Sequence, residues 1–164
     1  DIADLMYYFE CAKEKLAYRV DSMVEKINGL DYIPPANIYQ NLAGIKGSQW
    51  IDLFREMEKN TEYEYLILDL TDGVLDLWDV LRFCDVVYTI ARGEPAAVAK
   101  MNQYEKTIEA SEYTDLLCKT KKCRFPVFQY VPQNLDELTK GELASYVKNN
   151  IIPDLISFGG GNNE

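Results

Sequence analysis

Tyr65-Leu-Ile-Leu-Asp69-Leu-Thr-Asp-Gly73 is the stretch whose reading decides the fold. Tyr65, Leu66, Ile67, Leu68 and Leu70 form a near-continuous apolar run with Asp69 close to its end. A run this short, apolar at consecutive positions, fits a strand covered on both faces of a parallel sheet. The sequence therefore predicts a buried strand at Tyr65–Leu70 with Asp69 at its C-terminal end, where open parallel sheets bind ligands.

Helical and strand patterns alternate on both sides of this run. Upstream, Ile2, Leu5, Met6, Phe9, Leu16, Val20, Met23, Val24 and Ile27 recur at spacings of three and four. They predict one long amphipathic helix that ends at Asn28-Gly29 in a left-handed cap. Leu30–Ile33 reads as a short strand stopped by Pro34-Pro35, and residues 37–47 read as a loop. Ser48 is the expected N-cap of a helix carrying Trp50, Ile51, Leu53, Phe54 and Met57. Downstream, Gly73 is expected to open a short helix through Leu75, Leu77, Trp78 and Leu81. Val86–Ile90 reads as a second buried strand, and Pro95 as the first residue of a helix through Val98, Met101 and Ile108. A third strand is expected at Phe125–Val131. Thr139 and Glu142 have the spacing of a capping box for a last helix. The pattern shows no hairpin signal and implies right-handed crossovers and a parallel sheet. The fold class expected is α/β, an open sandwich in a single domain over residues 1–158, with a flexible tail at 159–164.

Composition narrows the function classes. The chain has 164 residues, 17 Lys and Arg against 27 Asp and Glu, a net charge of −10 and no histidine. Clustered basic residues drive binding to nucleic-acid backbones and anionic lipid. The one basic cluster, Lys119, Lys121, Lys122 and Arg124, lies close to Glu112 and Asp115 and reads as a solvated turn. No nucleic-acid partner and no membrane insertion are expected. The apolar runs fall well short of the roughly 20 residues a spanning helix needs, and the start at Asp1 has no leader pattern. Starting without methionine suggests a piece of a longer chain. Cys11, Cys84, Cys118 and Cys123 lack the companion ligands of a zinc site and read as reduced thiols. Without histidine, Ser-His-Asp and Cys-His nucleophilic systems are excluded. Trp50, Trp78, Tyr7, Tyr8 and Phe9 fall on apolar helical faces and read as core or interface; Glu56, Glu58, Glu62 and Glu64 read as a solvated face.

Asp69 and Asp72 admit two readings. A carboxylate at a strand end can hold Mg²⁺ directly or through water, since Mg²⁺ favours one or two carboxylates plus phosphate and water. Gly73 then lets backbone approach a phosphate. Alternatively, the two aspartates cap the next helix and favour its dipole.

The stretch from Tyr65 to Gly73 resembles the Walker B strand and switch II of MinD/ParA-type P-loop ATPases. Asp85-Val-Val-Tyr-Thr-Ile90 resembles that family's next core strand, and Val127-Phe-Gln-Tyr-Val-Pro132 its late strand and proline turn beside adenine. Leu81-Arg-Phe-Cys-Asp85, Ala99-Lys-Met-Asn-Gln-Tyr104 and Leu138-Thr-Lys-Gly-Glu-Leu-Ala144 are most similar to the MinD-like domain of TadZ/CpaE-type pilus-assembly proteins. The resemblance covers most of the chain. It implies a three-layer P-loop NTPase-like sandwich lacking its Walker A part, in a protein that binds ATP and Mg²⁺, forms a homodimer and helps place a Tad/Flp pilus machine. It further implies cytoplasmic residence, with recruitment to the cell pole or inner membrane face, and pilus or secretion proteins as partners. Carried over residue by residue, Asp69 is the Walker B carboxylate reaching Mg²⁺ through water. Asp72 and Gly73 belong to the switch, and Pro132 and Gln133 lie near the base. Thr71 and Asp72 depart from the proline and small apolar residue usual there, which bears on hydrolytic switching. The sequence contains no Gly-x-x-x-x-Gly-Lys-Ser/Thr; Gly44-Ile-Lys-Gly47-Ser48 lacks the glycine-lysine order that cradles phosphate. This chain alone is therefore expected to be inactive as an ATPase. The alternatives are a nucleotide-free scaffold that binds proteins, or a cell-division or partitioning ATPase of the same family.

Overall fold

In the computed structural model, which describes residues 1–130, 132–134 and 137–159, the chain is mixed α/β and divides into two compact units, Asp1–Val80 and Leu81–Glu164. The first unit is built on three helices, α1 (Ile2–Cys11), α2 (Leu16–Met23) and α3 (Gly47–Asn60). Asp1 caps α1, its Oδ1 accepting the Ala3 and Asp4 amides at 2.9 and 3.2 Å. The single helix expected from residue 2 to 27 is broken. Ala12 leaves the helical region (φ −158°, ψ 67°) and Lys13–Lys15 form a 3-10 turn before α2 starts. The break falls between buried Phe9 and Leu16, in a stretch rich in charge (Glu10, Lys13, Glu14, Lys15) with no buried side chain to hold a helix against a core. Leu5, Met6, Phe9, Leu16, Val20, Leu53, Phe54 and Met57 are all buried. Trp50 stacks on Phe54 with ring centroids 5.9 Å apart.

Asn28-Gly29 is a hairpin turn and not a helix cap. Asn28 (φ 51°) and Gly29 (φ 84°) both have positive φ, the conformation a two-residue type I′ connection requires. They join β1 (Glu25–Ile27) to β2 (Leu30–Tyr32), antiparallel, with Ile27 opposite Leu30 and Glu25 opposite Tyr32. Asn-Gly is the strongest short hairpin signal. The helical periodicity masked it because Val24 and Ile27 continue the apolar spacing into the strand.

The second unit contains the parallel element. Strand β3 (Val87–Arg92) pairs in parallel with β4 (Thr120–Phe125), Val87 beside Thr120 and Arg92 beside Phe125. Helix α4 (Leu77–Phe83) precedes β3, and the crossover runs through α5 (Pro95–Glu109), with Pro95 in the first turn as expected, and the short α6 (Leu116–Lys119). Ile108 and Leu116 are fully buried and anchor the crossover. The chain ends with α7 (Gly141–Asn150) and α8 (Ile152–Gly159).

Three further expectations are corrected. The third strand is Thr120–Phe125 and not Phe125–Val131: residues 126–130 have no strand structure, and Val131 lies outside the described residues. Pro126 removes the amide that would continue the ladder. Lys121, Lys122 and Arg124 of the basic cluster thus lie in a strand and not a turn, with Lys119 closing α6, and the three lysines find partners. Lys121 pairs with Asp154 and Lys122 with Glu105. Lys119 Nζ donates to the Arg82 and Cys84 carbonyls at 2.5 and 2.7 Å. Finally, α7 starts after Lys140, without a Thr139 cap; Glu142 instead accepts the Gln129 amide at 2.9 Å. Of the expected tail, residues 160–164 lie outside the described residues.

Candidate functional site

Tyr65–Leu70 is not a strand. The six residues belong to no helix or ladder, and Tyr65, Leu66 and Ile67 are 42%, 38% and 72% exposed. Apolar composition provides a face to bury but no partner for the backbone amides and carbonyls, which a strand also requires. Here β3 and β4 satisfy each other. Glu62, Glu64, Asp69 and Asp72 flank the run with carboxylates that resist burial without counter-charges.

Asp69 and Asp72 are accordingly exposed. After them the chain turns. The Gly73 amide donates to Thr71 Oγ1 at 3.3 Å and the Val74 amide to the Thr71 carbonyl at 3.3 Å. Asp76 then adopts positive φ (54°) and accepts the Gly47 amide on Oδ2 at 3.1 Å. The carboxylate that meets a helix N-terminus is therefore Asp76 on α3. Neither Asp69 nor Asp72 caps α4, which begins only at Leu77. The contact depends on glycine: a Cβ on Gly47 would lie 2.7 Å from the Asp76 Cβ. The string around Gly47, the nearest approach to a phosphate loop in the sequence, thus starts a helix whose first amide is taken by the protein's own carboxylate. Sequence reasoning singled out Gly47 but had no signal for Asp76, since the contact spans 29 positions.

Pro132 and Gln133 belong to the second unit and have neither helix nor strand structure; Pro132 is half-buried and Gln133 exposed. The expected site residues therefore form one contiguous group, Asp69, Asp72 and Gly73, and a separate pair in the other unit. Among the described residues no three His, Cys, Asp or Glu side chains cluster as a metal site. One or two exposed carboxylates without a third fit a Mg²⁺ ion that keeps most of its water and takes phosphate oxygens, and do not fit a cage made by protein alone.

The perturbed groups of the second unit lie elsewhere. Asp154 of α8 accepts from Lys121 of β4 and from the Tyr88 hydroxyl of β3. These donors hold its carboxyl below the usual range, Lys121 foremost. Burial, then the bond to Asp154, pushes the Tyr88 phenol up. Arg82 grips Asp115 with two bonds of 2.7 and 2.9 Å, which lowers the Asp115 pKa, and its guanidinium lies 4.3 Å over the Tyr113 ring. In the first unit the Tyr63 hydroxyl donates to Asp31 at 2.6 Å, a bond that raises the phenol to about 12. Each of these groups ties one element to another. The four cysteines are free, with Cys11 and Cys118 exposed, and among the described residues no helix is long and apolar enough to cross a membrane. The chain matches no family model, no curated protein and no solved structure.

Proposed function

We propose that the chain supplies the Walker B side of a MinD/ParA-like nucleotide site, completed by a phosphate loop that this sequence does not contain. The observation that carries the reading is the order of elements around Asp69. An apolar run ending in that exposed carboxylate is followed by the Gly73 turn, α4, β3, the α5 crossover and the parallel partner β4. Open parallel sheets bind ligands where a chain segment leaves the sheet for the next helix, and Asp69 lies exposed at the end of the apolar run that leads into the Gly73 turn and α4. Asp69 then holds a water of the Mg²⁺ shell, and Asp72 and Gly73 lie at the terminal phosphate. Pro132 and Gln133 border the base. Mg²⁺, when bound with ATP, neutralises phosphate charge. The protein acts as a homodimer that positions a Tad/Flp-type pilus machine from the cytoplasmic side through contacts with other proteins of that machine.

The second reading is a nucleotide-free scaffold of the same fold. It is favoured by the missing Gly-x-x-x-x-Gly-Lys-Ser/Thr and by the Asp76 carboxylate seated at Gly47. Titration calorimetry with Mg-ATP separates the two. The chain extended by its natural upstream residues is expected to bind, and Asp69→Ala is expected to weaken Mg-ATP more than metal-free ATP. Equal Mg-ATP affinity in both proteins removes Asp69 from the metal shell, and no binding in either leaves the scaffold.

A further inference from the structure

A six-residue apolar run and a parallel sheet of only two strands each lack what the other offers. Among the described residues β3 pairs on one side alone, with β4. An open strand edge is a template for another strand, and parallel sheets are ordinarily wider and covered on both faces. Ile90, in the middle of β3, is 60% exposed, and Arg92 at its end is exposed as well. In the other unit, Ile67 is 72% exposed at the centre of the unladdered run.

The two segments match in length, polarity and charge. Laid parallel, with Glu64 beside Val87, the run places Tyr65 beside Tyr88, Ile67 beside Ile90, and Asp69 beside Arg92. Side chains alternate across a strand, so these three pairs share one face. Leu66 beside Thr89 and Leu68 beside Ala91 share the other. The most exposed apolar residue of each segment is thereby covered by its counterpart, and the acidic end of one meets the basic end of the other. Pairing of two such runs with each other is disfavoured: antiparallel registers centred on Leu66 and Ile67 set Glu64 against Asp69, and like charges directly opposite are destabilising.

We propose that two copies of this chain exchange these segments, the Tyr65–Leu70 run of each adding to the open β3 edge of the other. Among the described residues the run has no ladder partner and β3 has one on a single side, and a second copy offers each segment the partner it lacks. Each copy donates one segment and accepts one, a reciprocal exchange that closes a two-fold dimer. The exchange needs no nucleotide and does not depend on the function proposed above.

The test is a cross-link with a built-in direction. Neighbouring strands are about 4.8 Å apart, within the roughly 4.4–6.8 Å Cα separation a disulfide spans. In a background with Cys11→Ser and Cys118→Ser, the double variant Ile67→Cys/Ile90→Cys is oxidised without nucleotide and run on a non-reducing gel. The exchange predicts covalent dimers joined through positions 67 and 90, identified by peptide mapping. A bond between positions 67 and 90 of one chain, or none at all, overturns it. A second measurement leaves the apolar residues intact. Sedimentation is expected to show that Arg92→Glu weakens the dimer by about tenfold, because each of two junctions loses an exposed ion pair and gains a like-charge pair. Asp69→Arg added to it is expected to restore the dimer. An affinity unchanged by Arg92→Glu, or a parent protein that stays monomeric up to about 100 μM, well above the affinity of a standard interface, also overturns the exchange. Because nucleotide is absent throughout, failure here leaves the ATP-binding reading untouched.

Discussion

Tyr65–Leu70 and Thr120–Phe125 are six-residue segments with opposite fates. The first is almost wholly apolar and lies exposed outside any ladder; the second, with three basic residues in six, is a strand. Strand formation in this chain follows the supply of partners more closely than composition. Thr120–Phe125 arrives beside β3 because α5, anchored by buried Ile108, returns the chain to it. There Cys123 is buried, and Lys121 and Lys122 meet Asp154 and Glu105. The apolar run forms no ladder, and among the described residues Glu62, Glu64, Asp69 and Asp72 form no ion pair that would offset burial.

The difference is sharpest between two isoleucines. Ile108→Ala removes a fully buried side chain behind the crossover and is expected to cost about 2–5 kcal/mol. Ile67→Ala, in dilute solution, is expected to change stability by no more than about 0.5 kcal/mol, as exposed substitutions do. Urea denaturation of both variants checks the pair, and a large loss at Ile67 at low concentration breaks the comparison.

The turn after the apolar run is better fixed than the run. Gly47→Ala pushes a methyl to 2.7 Å from the Asp76 Cβ and 3.0 Å from its carbonyl oxygen. Overpacking of this kind costs roughly 1–3 kcal/mol, and the thermal midpoint of the first unit should fall accordingly. An unchanged midpoint would mean that the 71–76 turn yields as freely as the run before it.

The smallest effect concerns how β4 holds its charges. The Asp154 carboxyl has a folded-state pKa depressed by Lys121 and Tyr88. Its contribution to stability is therefore present above the unfolded value of about 3.9 and is lost as pH falls through the lower folded value. Asp154→Asn is expected to flatten the dependence of the urea midpoint on pH below about 4. The same slope in wild type and variant would show that β4 stays paired without the Asp154 contact.

Some of the fold was legible locally. Pro95 at the start of α5, the buried Trp50, Leu53, Phe54 and Met57 face of α3, the short strand at Leu30–Tyr32 and the approximate place of β3 follow from backbone chemistry and periodicity within a few residues of themselves. The Asn28-Gly29 turn was legible as well, but the spacing of Val24 and Ile27 imitates a continuing helix. For the site, the sequence alone put Asp69, Asp72 and Gly73 in one stretch, and the structure keeps them contiguous and exposed.

What only the tertiary structure decided are the pairings across long separations. Gly47 meets Asp76 across 29 positions, Lys121 meets Asp154 across 33, and β3 pairs with β4. A sequence carries each segment's capacity to be a strand, read from its side chains. Whether that capacity is used depends on a second backbone being delivered to it, and delivery is a property of the packed crossovers. For Tyr65–Leu70 the capacity stands in the sequence, and the described structure leaves it unused.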